Sequence, residues 1–190
     1  MKVLAINGSA RLNGNTAIML NTALAELAGA GFETELVQLG PKGLQGCIAC
    51  YKCFENKDKT CAVKDEMNDY IVKMLAADGI LLGSPTYFGD VTTNIKSVMD
   101  RAGMVSRAND DMFRRKVGAA VVTARRGGAI HTFDTLNHFF FIGQMIVPGS
   151  SYWNMGYGRE PGQVNSDDEA MVTMRTLGRN MAWLLEKLAD

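Results

Sequence analysis

Short apolar segments alternate with helical segments along this chain, and this alternation constrains its fold most strongly. The predicted strands cover residues 3–7, 33–39, 79–83, 117–122 and 144–147. The predicted helices cover residues 16–28, 65–77, a segment that starts at 93, 130–142 and 166–188. Such alternation favours buried parallel strands joined by right-handed crossovers. The pattern predicts one α/β domain over residues 1–190, with a doubly wound five-stranded parallel sheet of order 2-1-3-4-5 and helices on both faces.

Charge and hydropathy narrow the classes of partner. The chain has 190 residues, of which 20 are Lys or Arg and 20 are Asp or Glu. This balance leaves no net field that would attract nucleic acid or an anionic membrane surface. The apolar runs are far shorter than the ~20 residues that cross a bilayer, and the N-terminal segment lacks the features of a signal peptide. We therefore expect a cytoplasmic protein that binds neither nucleic acid nor membrane, in a compartment where thiols stay reduced.

The loop after the first predicted strand, residues 8–16, has the chemistry of a phosphate site. Hydroxyl, amide and guanidinium donors come from Ser9, Arg11, Asn13, Asn15 and Thr16. The following helix adds unpaired N–H groups and the positive end of its dipole. The loop lacks both the G-x-G-x-x-G fingerprint and the P-loop lysine, which favours a single phosphate over a dinucleotide or a triphosphate. Taken alone, the loop also fits an ordinary polar strand-to-helix turn.

Two further loops are expected at the same edge of the sheet. Residues 84–89 follow the third strand and offer aromatic faces and backbone polar groups to a flat ring. Residues 123–128 follow the fourth strand, where two glycines allow close approach of the backbone and two arginines can offset negative charge. The three loops should converge, because ligands of doubly wound sheets bind at the carboxyl ends of the strands.

Together these loops resemble those of the NAD(P)H-dependent FMN reductase group of flavodoxin-like proteins, over nearly the whole chain. The resemblance implies a flavodoxin-like fold, FMN as the cofactor and NAD(P)H as a candidate substrate. It implies that the FMN phosphate is held by Ser9, Arg11, Asn13, Asn15 and Thr16. It also implies ring contacts from Pro85, Thr86, Tyr87, Phe88 and Gly89, with the other side of the ring closed by Arg125, Arg126, Gly127 and Gly128.

The loop at residues 46–62 carries all four cysteines of the chain: Cys47, Cys50, Cys53 and Cys61. Four thiolates suffice to ligate a [4Fe–4S] cluster, and three thiols at C-x-x-C-x-x-C spacing favour this ligand set. Zinc sites more often use two C-x-x-C pairs separated by a longer stretch. A cluster, a zinc ion and thiols without metal all remain open from the spacing alone.

The cysteines and the flavin loops together resemble the iron–sulfur flavoproteins, whose cysteine motif the four residues match one by one. This resemblance implies an FMN-dependent redox protein that passes electrons between a donor and an acceptor through a [4Fe–4S] cluster. A ferredoxin-type protein, NAD(P)H or a quinone is the implied partner. The alternatives are a cluster-free NAD(P)H-dependent FMN or quinone reductase and, in another class, a zinc-stapled binding module without catalysis. No side chain is predicted to be catalytic by itself.

Aromatic residues are concentrated at 139–141 and 152–157. One small domain need not bury all of them by itself, and two-fold symmetric assemblies are the commonest oligomers. Together with the family resemblance, this surplus predicts a homodimer or a homotetramer.

Overall fold

The computed structural model describes residues 1–189. Five strands alternate with helices along the chain. The strands are β1 (Lys2–Asn7), β2 (Glu33–Gln38), β3 (Gly79–Pro85), β4 (Val117–Ala124) and β5 (Met155–Tyr157). The helices are α1 (Asn15–Gly29), α2 (Lys52–Asn56), α3 (Met67–Ala76), α4 (Thr93–Ala108), α5 (Ala129–Ile142), a 3₁₀ turn (Gln163–Ser166) and α6 (Asp168–Ala189).

All strand pairs in the sheet are parallel and the spatial order is β2-β1-β3-β4-β5. The predicted sheet order is therefore confirmed, and the fold is flavodoxin-like α/β. The strand order reverses between β1 and β3: β2 lies on the outer side of β1, whereas β4 and β5 follow β3 in the opposite direction across the sheet. Residue 190 lies outside the described residues, and the assignment of residues 1–190 to one domain stays a prediction.

The hydrophobic core lies on both faces of the sheet. In β1, Leu4 and Ile6 pack in the cluster that includes buried residues of α3, α4 and α5. Val3 and Ala5 point to the opposite face and pack with residues of α1 and α6. Because both faces are covered, the strand has a continuous apolar sequence rather than an alternating one. No helix within residues 1–189 has the length and apolar character needed to cross a membrane.

The predicted position of the fifth strand is wrong. Residues 144–147 reach the sheet edge only through an isolated bridge between Ile146 and Val117. The chain then leaves the sheet and returns nine residues after Ile146, where Met155–Tyr157 pairs with the end of β4. The apolar run at 144–147 indicated a strand, but the hydrogen bonds of β4 near the site are made by the segment predicted as an aromatic loop.

Two local features differ from the sequence prediction. The short helix α2 lies inside the predicted cysteine loop. The helix predicted from residue 65 begins at Met67, with Glu66 as its N-cap, and the Asp65 carboxylate accepts the Met67 N–H at 3.2 Å. Asp65 also forms an ion pair with Arg101, a buried residue of α4 that contacts the cysteine loop described below.

Candidate functional site

A polar pocket lies at the carboxyl ends of β1, β3, β4 and β5, where the strand order reverses. Four loops contribute its lining: Ser9, Arg11, Asn15 and Thr16; Pro85, Thr86 and Tyr87; Thr123, Ala124 and Arg125; Gly158 and Arg159. Three of these lining residues are arginines, and none of those the structure describes is acidic. The pocket therefore has the charge of an anion site.

The loop after β1 is held in shape before any ligand binds. The Ser9 N–H donates to Asn7 Oδ1 at 3.0 Å, and Gln38 at the end of β2 donates to the Ser9 carbonyl. The Ser9 hydroxyl accepts the N–H of Arg11 at 3.1 Å. A hydroxyl that accepts in this way keeps its own proton for a ligand oxygen, so Ser9 can donate into the pocket without rearrangement of the loop.

The first turn of α1 borders this pocket through Asn15 and Thr16. Its N-cap, Gly14, has extended backbone and contributes no side-chain cap. The N–H groups of Asn15, Thr16 and Ala17 lie in the turn for which a helix supplies no carbonyl partners. Free N–H groups and the positive dipole end suit a phosphate, and Arg11 and Arg159 also line the pocket. These donors fit the phosphate of FMN.

The turn after β3 presents one side of the pocket. Reciprocal backbone hydrogen bonds of 2.8 and 3.1 Å join Tyr87 and Asp90. Thr86 is fixed on both sides, because its N–H donates to the Thr123 carbonyl at 2.7 Å and its hydroxyl accepts from Thr132 at 3.1 Å. Phe88 stands at the tip of the turn, fully exposed and with a φ of 51°. Pro85, Thr86 and Tyr87 thus form a wall, while Phe88 extends into solvent.

A second pocket is lined by all four cysteines, together with residues of α4. All four are free thiols; Cys47 and Cys50 are exposed, Cys61 is half-buried and Cys53 is buried. Burial raises the pKa of the Cys53 thiol. Within residues 1–189, no three His, Cys, Asp or Glu side chains are grouped closely enough for a single metal ion.

The backbone around Cys50 has an unusual conformation. Ala49 and Tyr51, which flank this cysteine, are both left-handed, with φ values of 51° and 55°. A non-glycine residue in this region costs of order 1–3 kcal/mol and persists where the surroundings enforce it. Alternation of left-handed and other residues turns successive N–H groups toward one concavity, an arrangement that recurs at phosphate and iron–sulfur sites. The donor set and the backbone of this loop therefore fit a cluster with net negative charge.

A polar stripe on α4 holds the segment that leads into the cysteines. Asn94, Ser97 and Arg101 lie at i, i+3 and i+7 on one face, and all three are buried. Asn94 donates to the carbonyls of Gly40 and Lys42, each at 3.1 Å. Ser97 donates to the Leu44 carbonyl at 3.1 Å and Arg101 to the Gln45 carbonyl at 3.1 Å. The stripe supplies the carbonyls of an irregular segment with the partners that they would otherwise lack.

Cys61 is held by hydrogen bonds from the side chains of two helices, Asn68 of α3 and Arg101 of α4. Asn68 of α3 accepts the Cys61 N–H at 2.7 Å and donates to its carbonyl at 3.1 Å. Arg101 donates from Nε to the Cys61 sulfur at 3.4 Å. The same guanidinium forms a two-point ion pair with Asp65 and so holds the pKa of this carboxyl below its ordinary value.

The family model described as NADPH-dependent FMN reductase matches residues 1–160. The chain belongs to this family. It is thus a flavin-dependent oxidoreductase of the FMN reductase type, in agreement with the resemblance of its loops.

Two relatives extend along nearly the full chain of this FMN reductase family member. An iron-sulfur flavoprotein of Methanocaldococcus jannaschii is 39% identical, with 96% of each chain covered. An iron-sulfur flavoprotein of Methanosarcina thermophila is 30% identical, with 98% of this chain and 96% of the relative covered. Among solved structures, an archaeal flavodoxin superposes with a TM-score of 0.64 at 13% identity, over 98% of this chain and 99% of the other. At that identity the last likeness concerns the fold alone.

The structure brings together eight of the residues that the sequence predicts to bind FMN in this family member, and it leaves six outside the pocket lining. Inside are Ser9, Arg11, Asn15, Thr16, Pro85, Thr86, Tyr87 and Arg125. Outside are Asn13, Phe88, Gly89, Arg126, Gly127 and Gly128. Gly128 is the N-cap of α5 with a φ of 84°, and a Cβ there would lie 3.2 Å from Thr86 Cγ2, so this glycine lets the two loops approach each other. The binding roles themselves stay predictions.

Two residues that line the pocket, Asn15 and Thr16, use their side chains in hydrogen bonds within the protein. Asn15 donates to the carbonyls of Gly158 and Glu160 at 2.9 and 3.0 Å and accepts the Val164 N–H at 3.3 Å. The Thr16 hydroxyl is buried and lies 2.7 Å from the Thr123 hydroxyl. The backbone N–H groups of these two residues, rather than the Asn15 amide, are what the first turn offers to a phosphate.

Sequence reasoning missed the fourth loop of the pocket. Gly158 and Arg159 follow β5, and the Arg159 carbonyl accepts from Arg11 Nη1 at 2.9 Å. The sequence does contain a feature that indicates this loop, because a glycine and an arginine directly follow the end of β5, as they do in the loop after β4. It was not recognised because the fifth strand was assigned eleven residues too early.

Proposed function

We propose that this FMN reductase family member is a redox protein that uses FMN and a [4Fe–4S] cluster to pass electrons between a reduced donor and an acceptor. The observation that carries the proposal is that four free cysteines, spread over fifteen residues, line one pocket in a chain that also has a phosphate-type loop. The two full-length relatives described above, both iron-sulfur flavoproteins, support it. When bound, FMN supplies hydride and single-electron chemistry and the cluster exchanges single electrons.

In this proposal the phosphate of FMN lies against the first turn of α1. The Ser9 hydroxyl and the N–H groups of Asn15, Thr16 and Ala17 donate to its oxygens, and Arg11 and Arg159 balance its charge. Pro85, Thr86 and Tyr87 form the wall along the flat ring, with Arg125 at its opposite side. The exposed Phe88 stays at the rim of this opening, where a second substrate such as NAD(P)H or a quinone enters.

The cluster is preferred over zinc because of the arrangement of the thiols. Tetrahedral zinc–thiolate sites have bonds of about 2.3 Å, so their sulfur atoms crowd around one point. A cubane cluster binds each thiolate to a different iron atom, so the sulfur atoms stay farther apart around a larger body. The four thiols share a pocket without being grouped tightly enough for one ion, and the residues on either side of Cys50 have left-handed backbone, as in loops that bind anionic clusters.

The proposal extends to the redox partner and to the oligomeric state of the protein. A ferredoxin-type protein, NAD(P)H or a quinone is proposed as the redox partner, in a reducing cytoplasmic compartment that preserves the thiols. A homodimer or homotetramer is proposed because Phe141, Ile142, Tyr152, Trp153 and Tyr157 are all exposed on the single chain. Large exposed apolar surfaces on a single chain mark interaction sites.

The test is the composition of protein purified without oxygen. We expect one FMN, four iron atoms and four sulfides for each chain, and a visible spectrum in which flavin bands overlie a broad iron–sulfur absorption. Flavin without iron would instead support a cluster-free FMN or quinone reductase. Zinc in place of iron would contradict the cluster, and absence of flavin would contradict the assignment of the phosphate loop.

A further inference from the structure

Arg101 is the most completely paired charged side chain near the cysteines. It is 1% exposed on α4, in the middle of the protein rather than at its surface. A guanidinium has five N–H donors, and here the five hydrogen bonds go to the carbonyls of Gln45 and Val63, to both oxygens of Asp65 and to the sulfur of Cys61. The thiol of Cys61 thus completes the set of partners that a buried arginine requires.

The other four bonds fix the direction of the fifth. Asp65 binds the outer edge of the guanidinium at 2.6 and 2.7 Å, a two-point geometry that prevents its rotation. Nε–H is then left pointing at Cys61, whose backbone is held by Asn68 on both its N–H and its carbonyl. Donor and sulfur are therefore placed by separate elements, α4 and α3, and neither depends on the exposed part of the cysteine loop.

We propose that Arg101 is a positioning residue for the iron–sulfur site, which hydrogen-bonds the Cys61 sulfur and raises the reduction potential of the cluster. This inference rests on the proposed function. Reduction adds one electron, and the added negative charge is shared with the thiolate sulfurs. An N–H donor carrying positive charge stabilises that reduced form more than the oxidised one, and hydrogen bonds to sulfur are among the factors that set the potential. The effect is strengthened because Arg101 is shielded from water.

The experiment compares two lysine variants of the same helix. Arg101→Lys retains the positive charge but loses the fork and the Nε–H that reaches sulfur. Arg107→Lys makes the same exchange at an exposed position of α4 that pairs with Asp111 and donates to no sulfur. Each protein is titrated anaerobically with dithionite through mediators, and the reduced cluster is followed by its electron paramagnetic resonance.

We expect Arg101→Lys to lower the equilibrium constant for one-electron reduction about tenfold, which corresponds to a fall of about 59 mV in potential. Arg107→Lys should titrate like the wild type. An iron-loaded Arg101→Lys protein with the wild-type potential would overturn the proposal, as would an equal shift in both variants. Iron content separates this failure from that of the proposed cluster, which fails if the wild-type protein holds no iron.

A wild-type measurement decides the matter if Arg101→Lys does not retain iron. Protein labelled with ¹⁵N-arginine is reduced, and electron–nuclear double resonance is used to look for ¹⁵N coupled to the cluster. A coupled nitrogen that persists in Arg107→Lys supports the hydrogen bond to Cys61. Absence of coupling in the labelled wild type would overturn it.

Discussion

Asn13 and Asn15 are two positions apart in the phosphate loop, but their side chains have different surroundings. Asn13 is exposed, whereas the Asn15 amide joins α1 to the segment after β5 through three hydrogen bonds. Net contributions of such bonds are about 0.5–1.5 kcal/mol each. We expect Asn15→Ala to lower the free energy of unfolding by about 1–3 kcal/mol in urea titrations of the flavin-free protein. Asn13→Ala is the matched control and should change it by less than about 0.5 kcal/mol; equal effects would contradict the structural role of Asn15.

Arg11 tests the phosphate end of the proposed flavin site. Its side chain is exposed and, among residues 1–189, forms a hydrogen bond only with the Arg159 carbonyl, so its removal should leave the fold intact. Loss of a charge-assisted hydrogen bond costs about 1.5–3 kcal/mol. Arg11→Gln should therefore raise the dissociation constant of FMN about tenfold or more in a fluorescence titration. Riboflavin lacks the phosphate, and its affinity should not change; a parallel loss for both ligands would argue against phosphate contact.

At the scale of single residues, the sequence indicated which loops meet but not which side chains face the pocket. Ser9 and Arg11 could be predicted because few residue types donate to phosphate. Asn15 was equally suitable by type, yet its amide is used by the Gly158 and Glu160 carbonyls, which are more than 140 positions away. Arg125 lines the pocket and its neighbour Arg126 does not, a difference set by the backbone of one turn.

At the scale of elements, α1 and α6 pack so closely that one glycine has no room for a side chain. A Cβ on Gly178 would lie 2.6 Å from the Ala23 carbonyl oxygen and 2.7 Å from Glu26 Cβ. A Cβ on Gly103 of α4 would lie 3.6 Å from Phe139, an ordinary contact. Alanine gains about 0.8–1 kcal/mol over glycine inside a helix, but overpacking costs about 1–3 kcal/mol.

We therefore expect the two glycine substitutions to have opposite signs. Gly103→Ala should raise the free energy of unfolding by up to about 1 kcal/mol, because only the propensity changes. Gly178→Ala should lower it by about 1–2 kcal/mol, because the backbone of α1 must move. Thermal unfolding followed by circular dichroism measures both. If Gly178→Ala were as stabilising as Gly103→Ala, the close approach of α1 and α6 would be wrong.

Helices and strands could be predicted from the sequence where a clear apolar pattern marks their bounds. β1, β3 and β4 are continuous apolar runs because both faces of the sheet are covered, whereas the edge strand β2 alternates; all four were found within a few residues. The fifth strand was missed because β5 is only three residues long and its Gly156 and Tyr157 lack an apolar pattern. The polar stripe of α4 was also missed: Asn94, Ser97 and Arg101 lie at helical spacing, but the sequence does not show that an irregular segment covers them.

At the scale of the whole molecule, the exposed apolar residues after β4 predict self-association. Phe141 and Ile142 end α5 with 62% and 66% of their surface exposed, and the rings of Tyr152 and Trp153 contact each other at a tilt of 49° in the following loop. In a two-fold symmetric dimer the same surface of both chains is buried in one interface. Light scattering at micromolar concentration should give the mass of a dimer or a tetramer. Replacement of Phe141 and Ile142 by Ser should shift that mass toward the monomer; a monomeric wild type would contradict the prediction.

The central claim is that the cysteine pocket and the flavin pocket form one electron path, since both loops leave the carboxyl edge of the same sheet from adjacent strands. The direct test is the rate of FMN reduction by a reduced ferredoxin-type donor in rapid mixing. Cys53→Ser removes a thiol that lies outside the flavin pocket, so FMN should stay bound while the cluster is lost. We predict that this variant, with full FMN and no iron, is reduced at least about tenfold more slowly than the wild type, because the one-electron path is gone. Equal rates in the two proteins would contradict the account.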